Sequence, residues 1–177
     1  MGSQGAKDEE FRQFVKSCSD GLFRTALLLS GDHGRAEDVV QTALFSTYGA
    51  WPRIRDHQRR LAYARRCVLN EWLSWNRRRS NSELPVDPMP ETAQAGEQDA
   101  LAESKAVLSA LSRLPPRQRA VVVLRYYEDL TEVQVARLLR CSIGTVKSQA
   151  SAALAKLRVD PELGRQLDLS ESKEATQ

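Results

Sequence analysis

The stretch DLTEVQVARLLRCSIGTVKSQASAALAKL, residues 129–157, decides the architecture. Thr131-Glu132-Val133-Gln134 sets a threonine three residues ahead of a glutamine. That is the spacing of a capping box, in which each side chain satisfies a backbone N–H at a helix start. Val135, Ala136, Leu138 and Leu139 give the short helix that follows an inner face, and small Ala136 lets a second helix cross closely. Cys141 falls in a tight turn, Ser142 caps the next helix, and Val146, Ala150, Leu154 and Leu157 point inward from it. Two helices joined by a four-residue turn, the second longer, form a helix-turn-helix. The turn places Arg140 where such motifs often use glycine. If Arg140 takes the left-handed conformation it costs on the order of 1 kcal/mol; the alternative is a turn of different build.

Working upstream, Ala106, Val107, Leu108, Leu111 and Leu114 repeat at helical spacing until Pro115-Pro116 stops them. A helix from Arg117 to about Tyr127 follows, offering Val121, Val122, Leu124 and Tyr126 to a core. These elements make one helical unit, residues 105–158. A three-helix unit occupies residues 8–79. Its first helix runs from about Asp8 to Leu29, with Phe11, Phe14, Val15, Cys18, Leu22, Ala26 and Leu29 as its stripe. Gly31 to Gly34 breaks it, and Asp32 caps a second helix from about Arg35 to Ala50. The second helix buries Ala36, Val39, Val40, Ala43, Leu44 and Tyr48, and Trp51-Pro52 ends it. The third runs from about Gln58 to Arg79, with Leu61, Ala64, Val68, Trp72 and Trp75 on one face. The fold class is therefore all-α: two small helical domains joined by residues 80–104, an acidic, proline-punctuated linker with no stable helix expected before about Glu97. Its acids either fold back over a basic neighbour or serve a plain tether.

Composition bounds the rest. At roughly 150 residues per domain, 177 residues allow one ordinary domain or two small ones. An apolar fraction of 41% supports small cores and speaks against wholesale disorder. No apolar run approaches the roughly 18 residues of a membrane span, and the polar first ten residues lack a signal core, so a cytoplasmic chain without membrane insertion is expected. Cys18, Cys67 and Cys141 lack the Cys-x-x-Cys spacing of zinc or redox sites and are read as small buried hydrophobes. His33 and His57 are expected in solvent. With no Ser/His/Asp set, phosphate loop or metal-ligand spacing, neither catalytic residues, nor a metal, nor a cofactor is expected, and the chain is not an enzyme.

The net charge of +3 conceals strong segregation. Residues 51–80 carry nine Lys/Arg against two Asp/Glu, and residues 105–157 nine against three. Residues 81–104 between them carry six acids and no Lys/Arg. Two basic helical units point to a polyanion partner. On the last helix Thr145, Lys147, Ser148, Gln149, Ser151 and Lys156 face outward and suit phosphates and base edges. An ordinary helical hairpin with a polar outside shares this pattern; the basic surroundings tip the reading toward DNA.

Over residues 8–158 the chain resembles a bacterial RNA polymerase sigma factor of the extracytoplasmic-function group, part of the sigma-70 family. The matching segments are Ala36-Glu37-Asp38-Val39-Val40-Gln41 with Trp51 downstream, Leu114-Pro115-Pro116-Arg117-Gln118-Arg119, Leu124 to Thr131, and Gly144-Thr145-Val146-Lys147-Ser148. The resemblance implies that Glu37, Asp38 and Gln41 bind the clamp helices of core RNA polymerase, although acids at a helix start also suit the helix dipole. It implies that Arg65, Arg66, Asn70, Arg77, Arg78 and Arg79 recognise and open the −10 element of promoter DNA. There a base is read in a pocket, phosphates are held by arginines, and aromatics stack on bases. Trp72 and Trp75 fall on or near the apolar stripe and read as core; Tyr63 lies off it and is the stacking candidate. Arg125, Thr145, Lys147, Ser148 and Ser151 would meet the −35 element in the major groove. At Ser151-Ala152 the chain departs from relatives with an aromatic or basic pair, and no base sequence is assigned. An anti-sigma factor is a further partner the resemblance admits. The rival reading is a stand-alone helix-turn-helix regulator binding an operator directly, which leaves the basic third helix without a task.

Overall fold

The computed structural model describes residues 2–81, 98–161 and 163. Every regular element among them is helical, and they fall into two compact units, one on each side of residues 82–97. The reading of those intervening residues as a helix-free linker lies outside the described residues.

The first unit packs α1 (Gly2–Ser30), α2 (His33–Ala50) and α3 (His57–Asn81) around one core. The α1 stripe holds: Phe14, Cys18, Leu22, Ala26 and Leu29 are buried, with Phe11 and Val15 half-buried at its edge. Asp32 caps α2 as its sequence position requires, its carboxylate accepting from the Arg35 N–H at 2.7 Å. The inner face of α2 is Ala36, Val39, Val40, Ala43 and Thr47; Leu44 and Tyr48 are half-buried. Thr47 is fully buried because its hydroxyl donates to the Ala43 carbonyl at 2.7 Å, which removes the penalty of burying it.

Trp51 does more than end a helix. It sits in a 3₁₀ turn (Trp51–Arg53), is buried, and meets Phe11 and Phe14 at 5.0 Å between ring centroids. Its indole N–H donates to Glu10 at 3.1 Å. The Arg60 guanidinium lies 3.8 Å over the indole ring, donates to Glu10 at 2.5 Å, and donates through Nε to the Ile54 carbonyl at 2.7 Å. One acidic side chain thus ties α1 to the turn and to α3. These hydrogen bonds from Arg60 and Trp51 hold the Glu10 carboxyl below its usual 4.5. Trp72 is fully buried in α3, as its stripe position demands. Trp75 is only half-buried, and one face of its ring is covered by the Arg35 guanidinium, stacked at 3.4 Å.

The second unit comprises α4 (Gln98–Arg113), α5 (Pro116–Val122), a π-helical segment (Val123–Tyr127), α6 (Glu132–Leu139) and α7 (Ile143–Arg158). Pro116 opens α5 at a position where a missing N–H costs nothing. The expected single helix to Tyr127 widens after Val122, and the Glu128 N–H bonds back to the Val123 carbonyl at 3.0 Å. The wider turn corrects the expected core: Val123 and Leu124 are buried, whereas Tyr126, assigned inward, is 56% exposed. Nothing in a 3.6-residue pattern announces such an inserted position. At the far end, the Arg113 guanidinium grips the buried Asp160 carboxylate with two bonds, 3.0 and 3.3 Å, fastening the end of α7 to that of α4.

Both caps read from residues 129–157 are present. Thr131 and Gln134 form the reciprocal capping box, and Ser142 accepts from the Thr145 N–H at 3.0 Å. Val135 and Val146 are fully buried where α6 and α7 cross. Ala153, which the sequence reading passed over, is the second fully buried residue of α7; Ala150, Leu154 and Leu157 are half-buried. The reading of all three cysteines as buried holds for Cys18 alone: Cys67 on α3 is half-buried, and so is Cys141, which lies in the turn, outside the packed helices.

Arg140 takes the left-handed conformation, φ 51° and ψ 52°, and closes α6 through its N–H to the Ala136 carbonyl. Arg140→Gly should therefore stabilise the second unit by a few tenths to about 1 kcal/mol, strain relief being partly offset by the greater freedom of glycine in the unfolded chain. Urea denaturation followed by circular dichroism checks it, and an unchanged or lower midpoint would show that the turn holds no such strain.

Candidate nucleic-acid interface

Helix geometry sorts the candidate residues. At 3.6 residues per turn, Glu37, Gln41, Asp38 and also Phe45 lie within about 100° of arc on α2. All four are exposed, Phe45 by 80%. An apolar residue off the buried stripe was legible in the sequence, yet Phe45 was missed. Glu37 also pairs with His33 at 3.5 Å. Beside Asp38 a cleft of about 350 Å³ opens between α2 and α3, bordered by Asp32, Arg35, Thr42, Glu71 and Trp75. Burial presses the pKa of Arg35 below its usual value, Asp32 opposes this, and Arg79 adds to it.

On α3, Tyr63, Arg66, Asn70 and Arg77 share a stripe of about 60°, and Arg59, one turn upstream, joins them. Arg59, Arg66, Asn70 and Arg77 are exposed and Tyr63 half-buried. The other named arginines leave this stripe. Arg65 is half-buried and close enough to Cys18 for its charge to act on the thiol. Arg78 bonds to Glu71 at 3.0 Å, and Arg79 lies 5.3 Å over the Trp75 ring. The structure thus joins three of the six arginine and asparagine candidates with Tyr63 into one surface capable of following a strand. Burial pushes the Cys18 thiol up to about 11, Arg65 only partly opposing it. Burial likewise raises Cys67, against hydrogen bonds from Thr47 and Tyr63. Both shifts disfavour the thiolate, the nucleophilic form of each side chain.

On α7, Lys147, Ser148 and Ser151 occupy an exposed arc of about 100° that Arg158, missed in the sequence, extends. Thr145 lies to one side, half-buried, its hydroxyl 2.9 Å from that of Ser142. Arg125 donates to the Leu130 carbonyl and so braces the loop before α6. Lys147 Nζ stands 3.7 Å from a Glu132 carboxylate oxygen. Among the described residues no cluster of His, Cys, Asp and Glu is arranged to hold a metal ion. No helix among them is long and apolar enough to cross a membrane.

These surfaces sit in segments that match known families. Residues 14–82 match sigma-70 region 2, and residues 104–157 match sigma-70 region 4. The chain is 39% identical over 149 residues to the RNA polymerase sigma-E factor of Streptomyces coelicolor, covering 84% of each. It is 32% identical over 163 residues to the ECF RNA polymerase sigma factor SigL of Mycobacterium tuberculosis, covering 89% of this chain and 92% of that one. Among solved structures, the sigma factor RpoE of Bartonella quintana, in complex with the anti-sigma factor NepR, aligns with a TM-score of 0.68 at 25% identity, over 85% of this chain and 95% of that one. CnrH, in complex with the cytosolic domain of CnrY, shares the fold with a TM-score of 0.60 at 24% identity. Two basic helical units, each matching one sigma region, and relatives matched over most of their length lead to one assignment: the chain belongs to the extracytoplasmic-function sigma factors of the sigma-70 family, which direct transcription initiation by RNA polymerase.

Proposed function

We propose that residues 8–79 bind core RNA polymerase and the −10 element, that residues 105–158 bind the −35 element, and that residues 80–104 link them. The observation that carries this is the pairing of an acidic-apolar face on α2 with a separate basic stripe on α3 in one small unit. A protein binding DNA alone has use for the second surface and none for the first. Glu37, Asp38 and Gln41 face the polymerase, with Phe45 as an apolar anchor among them. Arg66, Asn70 and Arg77, with Arg59 and Tyr63, follow the melted −10 strand: arginines hold phosphates while Asn70 reads a base edge. Arg65, Arg78 and Arg79 act mainly by holding the unit together.

The chain contributes recognition and strand separation, while phosphodiester chemistry belongs to the polymerase, so no enzymatic activity of its own is proposed. It works in the cytoplasm. The presence of NepR on the RpoE relative supports an anti-sigma factor as a partner here as well.

The deciding experiment is run-off transcription with purified core polymerase, alongside duplex binding by the chain alone. A sigma factor gives discrete start sites and needs the core enzyme to bind promoters well. Tight, sequence-specific binding by the free chain, without promoter-directed transcription, would mark a stand-alone regulator. In the holoenzyme, Lys147→Ala should weaken promoter binding and reduce the slope of log affinity against log salt by about one unit, as loss of one cation against the duplex requires. An unchanged slope would remove Lys147 from the phosphates and leave it at most a contact to bases.

A further inference from the structure

The recognition helix is poor in long polar side chains where it should read bases. Its N-terminal residues would approach base edges. Over Ile143–Ala150 only Lys147 and Gln149 are long and polar, and Gln149 is half-buried. Ser148 donates to the Thr145 carbonyl at 3.0 Å, and the Thr145 hydroxyl is engaged with Ser142. Lys147 therefore remains as the long reader of this half-helix, and it does not stand alone. The Glu132 carboxylate, from the first turn of α6, lies 3.7 Å from its ammonium, and the side chains are 36% and 64% exposed.

Such a pair adds little to stability, about 0–1 kcal/mol at an exposed site, and Glu132 already suits the helix dipole. Its position carries the further meaning. An acid on a DNA-facing surface is repelled by phosphates unless it finds a donor there. In the major groove cytosine offers one, the N4 amino group, and guanine beside it offers the acceptors O6 and N7. A side-by-side ammonium and carboxylate present the complementary donor and acceptor.

Accordingly, we infer that Glu132 and Lys147 act together as the reader of one G·C pair in the −35 element, Lys147 donating to guanine and Glu132 accepting from cytosine N4–H. This rests on the proposal that residues 105–158 bind that element. A·T pairs are disfavoured there because adenine N6 and thymine O4 present the opposite order, and exchange of the two bases displaces each partner from its contact.

The test uses the full chain in holoenzyme. Wild-type holoenzyme first selects promoters from a random-sequence DNA library; Glu132→Ala, Lys147→Ala and the double variant are then compared on the selected promoter with each upstream pair varied in turn. The expected result is one G·C pair at which both single variants lose about fivefold or more in preference, the double variant losing little beyond either. Replacing that cytosine by N4-methylcytosine, which removes a donor hydrogen, should weaken wild type and leave Glu132→Ala unmoved. Equal tightening by Glu132→Ala on every sequence would make the acid a repelling bystander and overturn the inference. Relaxation at different pairs by the two variants would overturn it as well. Absence of any upstream preference in the wild type would instead remove the −35 assignment itself. Native circular dichroism and unchanged affinity for core polymerase verify that each variant is folded.

Discussion

Asp38→Arg should abolish binding to core RNA polymerase and leave the fold intact. Asp38 is exposed on α2, between the packed face and the arc that holds Glu37, Gln41 and Phe45. No core contact is lost on replacing it. The substitution changes the local charge by two units beside a cleft that already contains Arg35. Reversing a charge within a complementary interface costs several kcal/mol, and about 3 kcal/mol already raises Kd more than a hundredfold. Asp20→Arg, at an exposed position on α1, applies the same charge change elsewhere and serves as control. The measurement is affinity for purified core enzyme by fluorescence anisotropy. Equal losses from both variants would reduce the effect to net charge, and native affinity in Asp38→Arg would remove α2 from the interface.

Trp51→Ala should destabilise the first unit by about 3–5 kcal/mol, as truncation of a buried tryptophan does. That is a large share of the 5–15 kcal/mol typical of a whole domain. The indole fills the space between Phe11 and Phe14 on one side and Arg60 on the other, so its removal leaves a cavity and strips Arg60 of its platform. Trp51→Phe keeps most of the packing and loses the bond to Glu10, a smaller deficit than that of Trp51→Ala. Comparable losses in the two variants, by urea denaturation, would shift the credit from packing to the hydrogen bond. Glu10 adds a pH signature. Its folded pKa is depressed, so its contribution is fully present above the unfolded value near 4.5 and fades as pH falls through the lower folded value. Wild type should lose its stability advantage over Glu10→Gln in that acidic window, and a constant difference down to pH 2 would contradict the assignment.

Where the sequence was informative, each signal had a local cause. Asp32, Thr131 and Ser142 cap helices because a side-chain oxygen at those positions reaches an orphan N–H a few residues on. The stripe from Phe14 to Leu29 was visible because burial repeats with the helical turn. The misreadings arose where a non-local or aperiodic feature intervened. The π-helical segment displaced Tyr126 from the core by one inserted position. Trp75 looked like core because it continues the spacing of Trp72, whereas Arg35, forty residues away in sequence, provides a charged cover in place of apolar neighbours. The basic cluster Arg77-Arg78-Arg79 reads as one patch in sequence. Consecutive residues on a helix point 100° apart, so its members meet three different environments. Glu132 went unnoticed as a partner of Lys147 because the two are fifteen positions apart and meet only through the crossing of α6 and α7.

The three tryptophans of this chain are Trp51, Trp72 and Trp75, all in the first unit, while Tyr126 and Tyr127 stand exposed in the second. The molecule is therefore spectroscopically partitioned. Selective indole excitation reports the first unit alone, with no labelling and no dissection of the chain. Trp72 emits from the interior, Trp51 from a buried site beneath Arg60 and bonded to Glu10, and half-buried Trp75 emits beneath a guanidinium whose withdrawal would alter its yield. Circular dichroism, by contrast, averages over both units. Denaturation curves recorded by the two methods on one sample should separate wherever the units unfold independently, and coincide only if they melt as one.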